Sequence, residues 1–511
     1  MQNNLNTNLN TKIKTKAKGQ DVYYISLAIT FIVVIWALVA KNSFSDFSNG
    51  LLKFLTENFG WAYLVSMVIF VVFSLTLAFS KYGNIRLGAD DSKPEYSTAS
   101  WFAMLFGAGM GIGLVFWGVA EPISHFIAPP GITPGTEEAA RFAMKASFMH
   151  WGFHPWANYA IIGLSLAYFQ FRKNKPGLIS SIFEPLIGEK GVKGPIGKTI
   201  DILAVFATVA GVATSLGLGT MQINSGLKYL FKVPETQTVQ ILIILVISII
   251  YIWTAVSGID KGIKVISDIN LYLAFGLLAL AFLVGPTLKI INALTDGMGL
   301  YLNNILQDSL SISAFGDNSW LNGWRIFYWA WWIAWAPFVG TFIARISKGR
   351  TIREFVLGVV VAPSVASFIW FAVFGTAGIN LGVTGAVSMD ALKQIVAAPE
   401  TAFFVIMAKY KLGSLLSLIA VFLLGTFFIT SANSATFVLG MLTSGGDLNP
   451  SNKKKIIWGV VQALLATSLL LAGGLKALQT ISVAAAFPFI FVMIFACVSL
   501  WKALKTEDII S

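Results

Sequence analysis

The sequence predicts an all-α integral membrane protein, and three observations carry that prediction. Hydrophobic residues fill 56% of the 511 positions and charged residues only 12%, about half the charged share of an ordinary soluble protein. Apolar runs of roughly 20 residues, the length that crosses a bilayer as a helix, recur along the whole chain. The basic residues gather in alternate loops between those runs.

Twelve spans follow, at 22–41, 61–80, 100–120, 143–171, 201–228, 236–256, 266–287, 322–344, 355–378, 412–442, 456–475 and 480–501. With the N-terminus inside, 24 of the 36 Lys and Arg fall on the inner side and 12 outside. That bias orients the chain and supports an even number of spans, with both termini in the cytoplasm. Residues 1–20 form a basic tail, with Lys12, Lys14, Lys16 and Lys18, and lack the apolar core of a cleaved signal peptide. Residues 288–320 are amphipathic and expected to lie along the outer surface; 504–511 form a short inner tail. The one cysteine, Cys497, excludes an internal disulfide and is expected to pack as a small hydrophobe. The net charge of +12 is accounted for by the loops, without nucleic acid as a partner.

Four spans carry unusual residues. The third contains FGAGMGIGLVFWG, with Gly107, Gly109, Gly111 and Gly113 alternating through its middle. Each interior glycine costs about 1 kcal/mol against alanine. Small residues that serve helix packing repeat every four positions; a repeat of two covers both faces and predicts an unwound segment that lines a site. The fourth carries HWGFHPWANY, where Pro155 should kink the helix and Trp151, Trp156 and Tyr159 cluster. The eighth holds five tryptophans in twelve residues: Trp324, Trp329, Trp331, Trp332 and Trp335. An interfacial belt places one or two tryptophans at a helix end; this density favours a cage for a quaternary ammonium. In the tenth, Thr430 and Ser431 are adjacent hydroxyls that can bond back to the preceding turn or, beside a broken helix, serve as cation ligands.

No Asp, Glu, Lys or Arg falls in the interior of these spans, and His150 and His154 are the buried titratable candidates, with no carboxylate at ligand spacing. This argues against a carboxylate-driven proton pump, a metal centre or an enzyme, and no cofactor is expected. A hard cation can still bind through carbonyls and hydroxyls at a broken helix. A channel would need a pore lined by charges or carbonyls.

The chain resembles the betaine/carnitine/choline transporter family from about residue 20 to 505. The resemblance is carried by GMGIG at 109–113, HWGFHPWANY at 150–159, ATSLGLGTMQIN at 213–224 and FYWAWWIAWAPFVGTFIARISKGR at 327–350. It implies two peripheral helices in 21–95, then leucine-transporter-type inverted repeats of five helices: spans 3–7 in 96–287 and spans 8–12 in 321–503. The glycine run and the tryptophan run each open a repeat. The substrate would lie between the repeats, against Trp151, Trp156, Tyr159, Trp331, Trp332 and Trp335, with Met110, Gly111 and Gly113 of the glycine run. A sodium ion, the coupling ion, would be held by carbonyls near Gly107 and Met110, the carbonyl of Phe427 and the hydroxyls of Thr430 and Ser431. A second would use Thr208 and Phe338, although Val212 stands where a further threonine is expected. The resemblance also implies a homotrimer among membrane lipids, in the cell (inner) membrane. Span seven lacks the arginine of sodium-independent exchangers, and Gly113 stands where choline carriers have an acid. Both departures point to sodium symport of a zwitterion, glycine betaine, imported as an osmoprotectant by alternating access. The alternative is an exchanger, or a choline or carnitine transporter. Osmosensing members carry long charged termini, so the short tail here argues against tension-gated regulation.

Overall fold

A computed structural model describes residues 2–109, 111–257 and 260–507. Its helices are α1 (Gln2–Val39), α2 (Lys41–Phe79), α3 (Thr98–Gly109), α4 (Ile112–Ile127), α5 (Glu137–Trp151), α6 (Phe153–Ala167), α7 (Glu184–Lys193), α8 (Pro195–Phe231), α9 (Gln237–Val256), α10 (Asp260–Val284), α11 (Thr287–Leu310), α12 (Phe327–Ile346), α13 (Ile352–Val383), α14 (Met389–Ala397), α15 (Ala402–Met407), α16 (Gly413–Leu442) and α17 (Asn452–Leu504). Among the described residues the strand-type pairing is an isolated bridge between Arg86 and Thr351. Among the described residues, nine helices are long and apolar enough to cross a membrane, or ten when α3 and α4 count as one bent span.

The breaks in these helices follow from local chemistry. α3 and α4 meet at an angle of 66°, and Gly111 before α4 is extended, at φ −135° and ψ −160°. The glycine run therefore interrupts the helix as its spacing predicts; Met110 lies outside the described residues. The expected kink at Pro155 falls three residues earlier. Gly152 caps both α5 and α6, and Pro155 sits in the first turn of α6, where its missing N–H would have had no helical partner. The last two expected spans fall on the two arms of α17, Asn452–Leu504, which meet at a kink. It turns at Gly474, whose φ of 55° and ψ of −135° suit glycine. The tryptophan helix α12 is not broken: Pro337 sits inside it. Its irregularity is a wide π turn at Leu321–Ile326 just before it.

Burial orders the layers. In the apolar windows, 89% of the Leu321–Ile346 segment and 83% of α8 are buried, against 22% for α10. The segment carrying α12, together with α8, is thus central, while α1, α9 and α10 face outward. Buried hydroxyls bond across helices instead of facing hydrocarbon. Tyr63 donates to the Val483 carbonyl (2.9 Å), Tyr251 to the Gly459 carbonyl (2.6 Å), and Thr214 pairs with Ser482 (2.8 Å), tying α2, α9 and α8 to α17. α6 and α12 approach closely at Gly340, where a Cβ would stand 2.7 Å from Ile162 Cβ. Asn158 locks that contact by donating to the Trp332 carbonyl at 2.8 Å. Together these set the rotation of the α6 face that meets the tryptophans.

The C-terminal tail is clasped after α17. Glu507 accepts from Arg172 Nε (2.9 Å) and Tyr168 Oη (2.6 Å) and pairs with Lys173 Nζ (2.7 Å). Arg172 also reaches Asp90 (2.7 Å) and the Gly88 carbonyl (3.1 Å). Burial alone would raise the Glu507 carboxyl, but these donors hold it down at about 2. Glu507→Gln should therefore cost about 1 kcal/mol of stability, since the partners are partly in water. A carboxylate whose pKa is depressed from 4.5 stabilises fully above that pH and loses its effect as pH falls toward 2. Melting temperatures of the two proteins should differ at pH 7 and converge only as pH falls to about 2.

Candidate functional site

The glycine break and the Gly152 break face each other. Gly113, in the first turn of α4, lies against two rings: a Cβ there would stand 2.9 Å from both Trp151 Cη2 and Trp331 Cη2. Trp151, the last residue of α5, meets Trp332 edge-on at 4.8 Å and 72°, and Trp331 at 6.2 Å and 84°. Trp331 and Trp332 stack at 4.8 Å and 12°. Tyr159 of α6 adds an edge contact to Trp332 at 6.4 Å. All four rings are buried. Trp332 Nε1 donates to the His150 carbonyl at 2.9 Å, which fixes its ring plane.

The other two expected cage members stand aside. Trp156 touches the group only through Tyr159, at 5.6 Å. Trp335 packs on Phe338 at 5.5 Å and against Gly211 of α8, with its indole N–H unpartnered. Tyr328 joins instead, 5.7 Å from Trp332 and 5.6 Å from Trp151. Gly111 caps α4 at the break, with open space where a Cβ would be.

A cavity of about 530 Å³ lies between α3, α10, α12 and α16, lined by Ser100, Met104, Gly107, Asp268, Phe338, Thr430 and Ser431 among others. Gly107 and Phe427 also line a smaller apolar cavity of about 190 Å³. The expected cation ligands Gly107, Phe427, Thr430 and Ser431 therefore surround neighbouring spaces. Thr430 bonds back to the Thr426 carbonyl (3.0 Å) and accepts from Asn270 Nδ2 (3.2 Å). Asn270 of α10 was not among the expected residues, and its Oδ1 is buried without a partner. Thr208 is fully buried and bonded to the Ala204 carbonyl at 2.8 Å. Phe338 faces the large cavity instead.

Further rings pack around α4 and the turn before α12. Trp117 meets Trp324 (5.5 Å) and Tyr328 (6.1 Å), and Trp320 packs on His125 (5.3 Å) and His150 (5.8 Å). Here the sequence expectation of no charge and no His–carboxylate pair is overturned. Glu121 is fully buried and accepts from His150 Nδ1 at 2.7 Å, Trp151 Nε1 at 2.8 Å and the Tyr328 hydroxyl. His125 Nε2, one helical turn on, stands 3.4 Å away. Glu121 falls one residue past the expected third span, and two of its partners are about 30 positions distant in α5; the cue was an acid and a histidine four apart in GVAEPISH. Glu121, His125 and His150 lie at metal-ligand spacing. Yet the carboxylate oxygens already receive indole, phenol and imidazole donors, so the arrangement is a hydrogen-bonded hub. His154 meets a neighbouring helix through Nε2, 2.8 Å from Ser309 of α11, while its Nδ1 is buried without a partner among the described residues.

The model of the betaine/carnitine/choline family transporters matches residues 21–509. The chain belongs to this family. It is 49% identical over 489 residues to a glycine betaine transporter of Bacillus subtilis, covering 95% of this chain and 94% of that one. It is 48% identical over 494 residues to a probable glycine betaine transporter of Desulfitobacterium hafniense, covering 96% and 98%. It is 46% identical over 490 residues to an ectoine/hydroxyectoine transporter of Virgibacillus pantothenticus, covering 95% and 97%. As a member of the betaine/carnitine/choline family the protein is a transporter and not an enzyme.

Gly113 offers a direct test of the ring packing. A side chain there must part Trp151 from Trp331, so Gly113→Val should lower stability by about 1–3 kcal/mol. An unchanged melting temperature and near-ultraviolet circular dichroism would show that the rings do not pack on this position.

Proposed function

We propose that this transporter imports glycine betaine, or a close methylated zwitterion, by sodium symport across the cell membrane. The observation that carries the reading is a buried cage of Trp151, Tyr159, Trp331 and Trp332 at the meeting of two helix breaks. A trimethylammonium head is a large, weakly hydrated cation, and several aromatic faces can replace its hydration without offering it an anion. A neutral Gly113 beside the cage suits a substrate without net charge. Gly107, Phe427, Thr430 and Ser431 meet around adjoining spaces where a sodium ion would find carbonyls and hydroxyls; there it would compete with the Asn270 amide for Thr430.

The same reading takes α3 with α4 as one span, α5 with α6 as another, and α17 as two, which makes twelve. With the N-terminus in the cytoplasm, the large cavity opens inward and the Trp117–Trp324 layer closes the outer side. That is one of the two end states that alternating access needs, with the two inverted repeats moving about the site. Import as an osmoprotectant and assembly as a trimer belong to this reading.

Uptake of labelled glycine betaine into proteoliposomes should be concentrative only with an inward sodium gradient. Uptake without sodium that requires internal substrate would overturn symport in favour of exchange. Trp332→Leu should raise the half-saturation concentration at least tenfold, the loss of one desolvated cation–π contact of about 2 kcal/mol. Thr430→Ala should raise the sodium concentration needed for half-maximal uptake; an unchanged sodium dependence would remove Thr430 from the ion site.

A further inference from the structure

Glu121 is a fully buried carboxyl group, and the hydrogen-bonding chemistry of its neighbours says how they face it. His125 Nδ1 accepts from Trp320 Nε1 at 3.2 Å, so the His125 proton sits on Nε2, which faces Glu121 at 3.4 Å. His150 Nε2 is buried without any partner. A neutral imidazole there keeps its proton on Nδ1, toward the carboxylate at 2.7 Å, because a buried N–H without an acceptor is the costlier arrangement. Trp151 Nε1 can only donate. The carboxyl group thus receives donors from Trp151 and His150 and meets the Tyr328 hydroxyl, with His125 close behind.

No lysine or arginine among the described residues forms an ion pair with Glu121; its paired groups are the two histidines. Arg325 is also buried, but its guanidinium lies over the far ring of Trp320, 5.2 Å from the centroid. A buried carboxylate without a cation beside it is costly. Two of its donors are rings of the cage: Trp151, edge-on to both Trp331 and Trp332, and Tyr328, which packs on Trp332.

We propose that Glu121 is a positioning residue of the substrate cage: through Trp151 and Tyr328 it fixes the rings and places a negative charge behind them, facing a cationic head group. The inference rests on the cage reading above. Donation of an indole N–H and a phenol O–H to a carboxylate makes both rings richer in electrons, which strengthens attraction to a cation over their faces. The bound ammonium in turn supplies the cation that the carboxylate otherwise lacks. Gly113 and Glu121 then divide the work. The first leaves no anion in contact with the head group, and the second provides one at the distance of a ring.

The test is binding of glycine betaine to the purified transporter in nanodiscs, followed by tryptophan fluorescence, for Glu121→Gln, Trp151→Phe and the double variant. Glu121→Gln should raise Kd at least tenfold with the number of binding sites unchanged; a structural defect would lower the number of sites and leave Kd alone. Trp151→Phe keeps a ring and removes the N–H, so the double variant should bind nearly as well as the weaker single variant. Tyr328→Phe, which keeps its ring and packing, should give a smaller loss, about threefold, and carries the same test should Glu121→Gln not fold. A Kd within twofold of the parent in Glu121→Gln, or losses that multiply fully in the double variant, would overturn the inference and leave the cage standing. A parent protein that binds no betaine would remove the cage reading, and this inference with it.

Discussion

A helix in hydrocarbon must satisfy its own backbone, and that constraint decides where this protein can hold a ligand. Nothing in the lipid replaces a lost N–H to carbonyl bond, so an interruption at depth has to be lodged in protein or in a cavity. The chain interrupts its helices at Gly111 and at Gly152, and the two interruptions abut through Gly113 and Trp151. Each break removes part of the side-chain coat that would otherwise keep helices about 8–10 Å apart. Rings and backbone can therefore converge there, and the close α6–α12 contact at Gly340 and Ile162 holds the third wall in place.

A second consequence of the apolar surroundings is the grouping of polar side chains. Glu121 gathers two histidines, a tryptophan and a tyrosine from three helices because each is cheaper to bury beside the others than alone. Bonds to a charged acceptor contribute about 1.5–3 kcal/mol each. Three or four of them are of the same order as the several kcal/mol that an ion loses on leaving water. The hub sits directly behind the rings that carry the proposed binding.

How much of this the sequence discloses depends on the range of the interaction. The helix break at 109–111 is legible because four glycines at alternate positions are a local cost with no packing benefit. The tryptophan cluster is legible from density alone. The membership of the cage is less so: Trp335 lies one turn from Trp331, yet it turns toward Phe338 and Gly211. That rotation is set by Gly340 and Asn158, contacts between helices some 175 residues apart that no spacing rule contains. The role of Glu121 is hidden from the sequence for the same reason. Its donors Trp151 and Tyr328 stand 30 and 207 positions away, and the acid falls at the end of an apolar run, where a solvated residue is the ordinary reading.

Alternating access, if the protein works as proposed, must divide these contacts into those that part and those that travel together. In that reading the outer layer is closed by rings of α4 and α5 against rings of α12 and of the turn before it: Trp117 on Trp324, His150 on Trp320 and Tyr328. Opening that side separates the two groups, and the Tyr328 bond to Glu121 crosses the divide. The bonds from His150 and Trp151 to Glu121 do not cross it, since all three residues lie on α4 and α5. The carboxylate therefore keeps Trp151 oriented in either state and holds Tyr328 only when the outer side is shut. One buried acid can in this way preserve half of the cage while the other half swings clear, and the energy of a single charge-assisted hydrogen bond, about 1.5–3 kcal/mol, favours the closed outer face. A barrier of that size is small enough for binding energy to overcome.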